Sequence, residues 1–71
     1  MTSITRPTFG MRLHKTRKQR GWSLTVLWRE SGIHKGTLSE LEHGKYEPGM
    51  RTLMALSDAL GVSMDYLAKG R

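Results

Sequence analysis

Cysteine is absent from the 71 residues, which excludes a disulfide staple and a thiolate metal site. The histidines, His14, His34 and His43, form no ligand-like cluster to take its place, so neither a metal nor another cofactor is expected. Long apolar runs are missing too. Nothing approaches the ~18 residues that a membrane-crossing helix needs, and the opening Met-Thr-Ser-Ile-Thr-Arg-Pro lacks the apolar stretch of a secretory signal. A cytoplasmic protein with no membrane partner is expected. No nucleophile stands beside a base, no carboxylates are paired, and so short a chain has little room for a pocket, which argues against an enzyme. One small domain is expected, burying about 60% of the surface its unfolded chain exposes.

Acid is missing from one end. Residues 1–20 carry Arg6, Arg12, Lys15, Arg17, Lys18 and Arg20 and no Asp or Glu, whereas residues 21–71 hold six cations and six acids, so the whole net charge of +6 sits at the start. A block of this kind favours a polyanion. Nucleic acid is preferred to lipid because no strongly apolar face opposes the cations. A solvated basic helix with no partner is the plainer alternative on this feature alone.

Glycine punctuates what remains. Gly21, Gly32, Gly44 and Gly61 each follow an amphipathic segment, and five helices are the simplest parse. The first runs from about Thr8 to Arg20, with Phe9 and Leu13 on one face. Ser23 caps a second, Leu24 to about Ser31, whose inward stripe is Leu24, Leu27 and Trp28. Leu24, Val26 and Trp28 also alternate as in a strand, but a lone strand would find no partner in this chain. Gly32 and Ile33 turn into a third helix, roughly His34 to Glu42, with Leu38 and Leu41 inward. The loop His43 to Pro48 leads to a fourth helix, Met50 to about Leu60, offering Met50, Leu53, Met54, Leu56 and Leu60 as the richest apolar face. Ser63 caps a last helix containing Met64, Tyr66 and Leu67. Met50, Met54 and Met64 are expected to fill the core. Residues 8–68 form the domain, with 1–7 and 69–71 as flexible termini.

The informative run is Ser23 to Gly44, SLTVLWRESGIHKGTLSELEHG. Two short helices flank a glycine turn, and the second bears few large apolar residues and many small or polar ones. A helix entering a major groove ~12 Å wide needs one face for packing and another for base edges. That is a helix-turn-helix pattern over 23–42. Together with FGMRLHKTRKQRGWS before it, the Leu-Glu-x-Gly-Lys-x-x-Pro loop and the Leu-Gly-Val-Ser cap after it, the chain resembles the Cro/repressor (Xre) family across about residues 9–67.

The resemblance implies an all-α, five-helix, lambda-repressor-like fold and sequence-specific binding of double-stranded DNA by a transcriptional regulator, in the manner of a repressor. It places Lys35, Gly36, Ser39 and Glu40 where base-reading groups stand. Lys35 would donate to guanine, Glu40 would accept from cytosine, Ser39 would serve either way, and Gly36 would allow close backbone approach. It places Ser23, His34, His43, Gly44, Lys45 and Arg51 at phosphates. Arg17 and Glu42 match a structural ion pair joining the first helix to the end of the third; two independent solvated charges, or a phosphate contact by Arg17, are the alternatives. A surface role is the alternative for Lys35 and Glu40, and His14 is expected simply to be exposed. A homodimer on a palindromic operator is implied, with the region of the fourth and fifth helices as its interface.

Trp28 departs from the family's pattern, which has a small residue there because the two helices cross closely. Either the third helix tilts away, or Trp28 turns outward and joins Trp22 and Val26 in an apolar patch. Such a patch would suit a protein partner, as in an antitoxin or adaptor.

Overall fold

Four of the five helix starts are closed by a side chain. In the computed structural model, which describes residues 8–70, the elements are α1 (Phe9–Gln19), α2 (Leu24–Ser31), α3 (Lys35–Glu42), α4 (Met50–Leu60) and α5 (Met64–Lys69). Thr8 accepts from the Met11 amide at 3.2 Å, Ser23 from Val26 at 3.2 Å and Ser63 from Tyr66 at 2.9 Å, each satisfying an amide that the helix itself leaves unpaired. His34 caps α3 through its ring, accepting from the Gly36 amide at 3.0 Å. No strand occurs among the described residues, and the strand-like alternation from Leu24 to Trp28 is helical. The turn between α2 and α3 passes through Gly32 at φ 78°, a conformation that costs glycine little.

The helices enclose one core of Phe9, Leu13, Leu27, Leu38, Leu41, Leu56, Leu60 and Leu67, contributed by all five elements. Its seven leucines are at most 1% exposed, and truncating any of them to alanine would cost about 2–5 kcal/mol. α1 lies against α3 and α5, α2 against α3 and α4, and α4 against α5. The crossing of α1 with the end of α3 depends on Gly10. A Cβ there would stand 2.5 Å from the Leu41 carbonyl oxygen and 2.6 Å from that of Glu42. Sequence patterning gave no hint of this contact.

Two expectations about packing are corrected. Met50 and Met54 do not fill the core: they are 66% and 49% exposed, and Met64 is half-buried. Leu53, Leu56 and Leu60 hold the inner face of α4, and the methionines, four residues apart, form a neighbouring stripe that no described element covers. The frayed end is corrected in part, since Lys69 is still helical and Gly70 caps α5. Arg12 secures this end, donating from Nε to the Leu67 carbonyl at 2.8 Å and from Nη2 to that of Ala68 at 2.7 Å. Residues 1–7 and Arg71 lie outside the described residues, so the expectations for them, Arg6 included, lie outside as well. None of the described helices is long and apolar enough to cross a membrane.

Candidate nucleic-acid interface

The basic helix α1 uses much of its hydrogen-bonding capacity inside the fold. Besides Arg12 at the end of α5, Arg20 donates from Nε to the Leu60 carbonyl at the end of α4, 2.9 Å away, and lies over the Trp22 ring. Both guanidinium groups meet the carbonyl-rich, electronegative end of a helix. Arg17 is 7% exposed. It grips Glu42 through Nε at 2.7 Å and Nη2 at 3.1 Å, and donates from Nη1 to the Trp22 carbonyl at 2.8 Å. His14 also reaches Glu42, with Nδ1 at 2.9 Å from Oε1. A carboxylate only accepts, so this contact places a proton on Nδ1. His14 is exposed, as expected, and its ring in addition helps hold the carboxylate. Burial pushes the Glu42 carboxyl up, but the hydrogen bonds from Arg17 and His14 outweigh it and hold the group below its ordinary range. The hydrogen bond to Glu42 raises Arg17 in turn, against its own desolvation.

Arg17, engaged with Glu42, also borders a groove whose other polar residues are more open. This groove, between the start of α2 and the outer face of α3, is lined by Lys18, Ser23, Thr25, Lys35, Gly36 and Ser39, among others. Leu38 and Leu41 turn the opposite side of α3 into the core while Lys35 and Gly36 are exposed, because inward and outward residues separate at helical spacing. Of the residues proposed from the sequence for phosphate and base contacts, the groove joins Ser23 with Lys35, Gly36 and Ser39. Lys18 and Thr25 are additions. Lys18 belongs to the basic block that favours a polyanion, while the only signal for Thr25 was that it lies near the Ser23 cap.

The remaining expected contacts lie on the flank. The Glu40 carboxylate accepts from the Tyr46 hydroxyl at 3.2 Å and has Lys45 Nζ at 4.0 Å, so it is already engaged by the loop. Partial desolvation and the Glu40 carboxylate raise the Tyr46 phenol above its ordinary value. The loop amides are engaged too: His43 donates to the Ser39 carbonyl at 3.0 Å, Gly44 to Leu41 at 3.1 Å and Lys45 to Glu40 at 3.0 Å. These bonds close the end of α3, as does His43 Nδ1, which lies 2.7 Å from the Ser39 carbonyl oxygen. The loop therefore presents side chains to a ligand and keeps its amides for the helix. Arg51 is exposed in the first turn of α4 and is not part of the groove.

The signature of the helix-turn-helix family matches residues 13–67, which span α2, the Gly32 turn and α3 together with most of the helices that support them. The chain belongs to the helix-turn-helix family. It is 44% identical over 62 residues to the SPbeta prophage-derived HTH-type transcriptional regulator YonR of Bacillus subtilis, covering 87% of this chain and 57% of that protein. It is also similar to two solved structures. The P22 c2 repressor in complex with a synthetic operator superimposes with a TM-score of 0.86 at 34% identity, covering 94% of this chain and 100% of that one. SinR in complex with DNA gives 0.81 at 33%, covering 84% and 97%.

Within this helix-turn-helix, Trp28 turns outward. It is 36% exposed, whereas Trp22 and Val26 are half-buried and Trp22 packs on the core. The Trp28 ring leans on the His34 ring, with centroids 4.5 Å apart and planes inclined by 52°. An indole at the crossing is accommodated by lying across the entry to α3, and the two helices still pack against each other.

Proposed function

We propose that this chain binds double-stranded DNA sequence-specifically as a transcriptional regulator, a repressor that acts by occupying its operator. The observation that carries the proposal is the groove in which the capped start of α2 meets the exposed front of α3. Phosphates flank a major groove, so a reading helix needs phosphate-binding groups beside it, and Ser23, Lys18 and Thr25 stand beside Lys35, Gly36 and Ser39. The relatives solved with an operator or with DNA support the same reading.

In this reading α3 enters the major groove. Lys35 donates to guanine O6 and N7, Ser39 donates or accepts, and Gly36 lets the backbone approach. Glu40 accepts from cytosine only by sharing or leaving Tyr46 and Lys45. The amides exposed at the start of α2, with Lys18, take one phosphate; the side chains of His34, His43, Lys45 and Arg51, beside Gly44, serve others. Counterions released by these cations supply salt-sensitive affinity. One domain reads half a site, so two copies bind a palindrome with half-site centres ~34 Å apart, in the cytoplasm on the nucleoid. Occupancy requires no catalytic group.

The test is selection from a randomised duplex pool by the unaltered chain and by Lys35→Ala. A palindromic enriched site that loses one base preference in the variant is the expected result. Enrichment of no sequence, with weak binding that vanishes at moderate salt, would overturn the proposal.

A further inference from the structure

The front of α3 is built by three residues whose sizes fit one another. His34 turns its ring back so that Nδ1 accepts the Gly36 amide at 3.0 Å, which leaves Nε2–H as the donor of the neutral ring. Gly36 leaves the ring room: a Cβ there would stand 3.3 Å from His34 Nδ1, so that the ring would have to give by a few tenths of an ångström, and in ordinary contact with Cε1 at 3.7 Å. Trp28 closes the arrangement from α2, its ring against the outer face of His34. The same indole lies beneath Lys35, whose Nζ is 6.0 Å from the ring centroid, at the limit of a cation–π contact. A large aromatic residue on α2 therefore packs on the His34 ring and lies under the Lys35 ammonium at the outer limit of a cation–π contact.

We infer that Trp28 is a positioning residue for DNA recognition, holding the His34 ring and the Lys35 ammonium in the orientations from which they meet DNA. The inference rests on the DNA-binding reading above. It assigns the indole a task that a small residue at that crossing cannot perform: Trp28 gives order to side chains at the reading surface. The energetic logic is preorganisation. A lysine ordered before binding loses less side-chain freedom at the interface, and a ring locked through Nδ1 presents a single donor. Removing the indole leaves the contacts chemically possible but disordered, so affinity for the preferred sequence, which loses both the Lys35 and the His34 contact, falls by more than attraction to phosphates in general, which loses only that of His34.

The experiment uses the full chain and the duplex that it enriches from a random pool, with an unrelated duplex of equal length as the non-specific probe. Trp28→Leu keeps apolar bulk and removes the stacking ring; Trp28→Phe restores a ring. Helical circular dichroism checks the fold, and the emission of Trp28 alone is read in a Trp22→Phe background. Trp28→Leu is expected to lose about tenfold in affinity for the enriched duplex, 1.4 kcal/mol, with a smaller loss on the unrelated duplex, since His34 serves a phosphate, and the preference at the Lys35-read base pair weakened. Trp28→Phe recovers most of the loss. His34→Asn keeps a capping acceptor and removes the second ring; it is expected to change Trp28 emission and to lose specific affinity, which serves where Trp28→Leu does not fold. Equal losses on both duplexes, no loss, or no rescue by phenylalanine would overturn the inference while leaving DNA binding intact. Absence of any enriched duplex would overturn the DNA reading, and the inference with it.

Discussion

α1 and α3 both carry cations, and the fold uses them in opposite ways. Arg12, Arg17 and Arg20 of the α1 region direct their donors to the Leu67 and Ala68 carbonyls, to Glu42 and the Trp22 carbonyl, and to the Leu60 carbonyl. The single cation of α3, Lys35, is exposed on a groove shared with Ser23 and Lys18. The helix with more charge is thus the structural clamp, and the helix with less is the candidate reader. Guanidinium forks suit the first task because several fixed donors can satisfy carbonyls at a helix end, whereas a lysine stem can follow a ligand. Counting charge along a segment shows how much there is, but not how many donors remain for a partner.

The comparison breaks most visibly at Glu42. Glu42→Ala strands the nearly buried Arg17 charge and is expected to cost about 3–5 kcal/mol in urea denaturation. The same carboxyl gives the clamp a pH signature. Its folded value lies below the ordinary 4.5, so its contribution is present above that value and is lost as pH falls through the folded one. Stability should decline in acid below about pH 5, and Glu42→Gln should flatten that part of the profile. A profile unchanged by Glu42→Gln would mean that the carboxylate contributes no net stability.

Next in size is Gly10→Ala, expected to cost about 1–3 kcal/mol by forcing α1 away from the Leu41 and Glu42 carbonyls, read as a lower thermal midpoint. Smaller still is the division within the basic block. Arg20→Met should lose about 1 kcal/mol of stability and leave the salt dependence of DNA binding nearly unchanged. Lys18→Ala should do the reverse, reducing the salt slope by about one while stability stays within about 0.5 kcal/mol. A large salt effect from Arg20 would extend the DNA-facing role of Lys18 to the arginines of the basic block. Smallest is Met50→Gln, expected to change stability by less than about 0.5 kcal/mol because the side chain is already largely exposed.

Much of this was legible before the structure. Ser23 and Ser63 announced their caps, and the Gly32 turn and the inward leucines of α3 followed from spacing, because these are local or periodic properties. The methionines of α4 misled for the same reason: periodicity marks an apolar stripe without saying whether another element covers it. His14 and Gly10 were missed because their partners, Glu42 and the end of α3, are more than two dozen residues away along the chain. Among the candidate contacts, Ser23, Lys35, Gly36 and Ser39 converge on one groove; that Tyr46 and Lys45 already hold Glu40 required knowing how the loop folds back.

The sequence alone determined the number and order of the helices, the turn that joins α2 to α3, and the leucines that form the core, since each depends on residues within a few turns of one another. Only the tertiary structure decided which cations serve the fold and which remain open to a partner, and where the Trp28 ring rests. Those outcomes depend on which helix ends and which rings meet across the core, and contacts between distant segments leave no periodic trace in the chain.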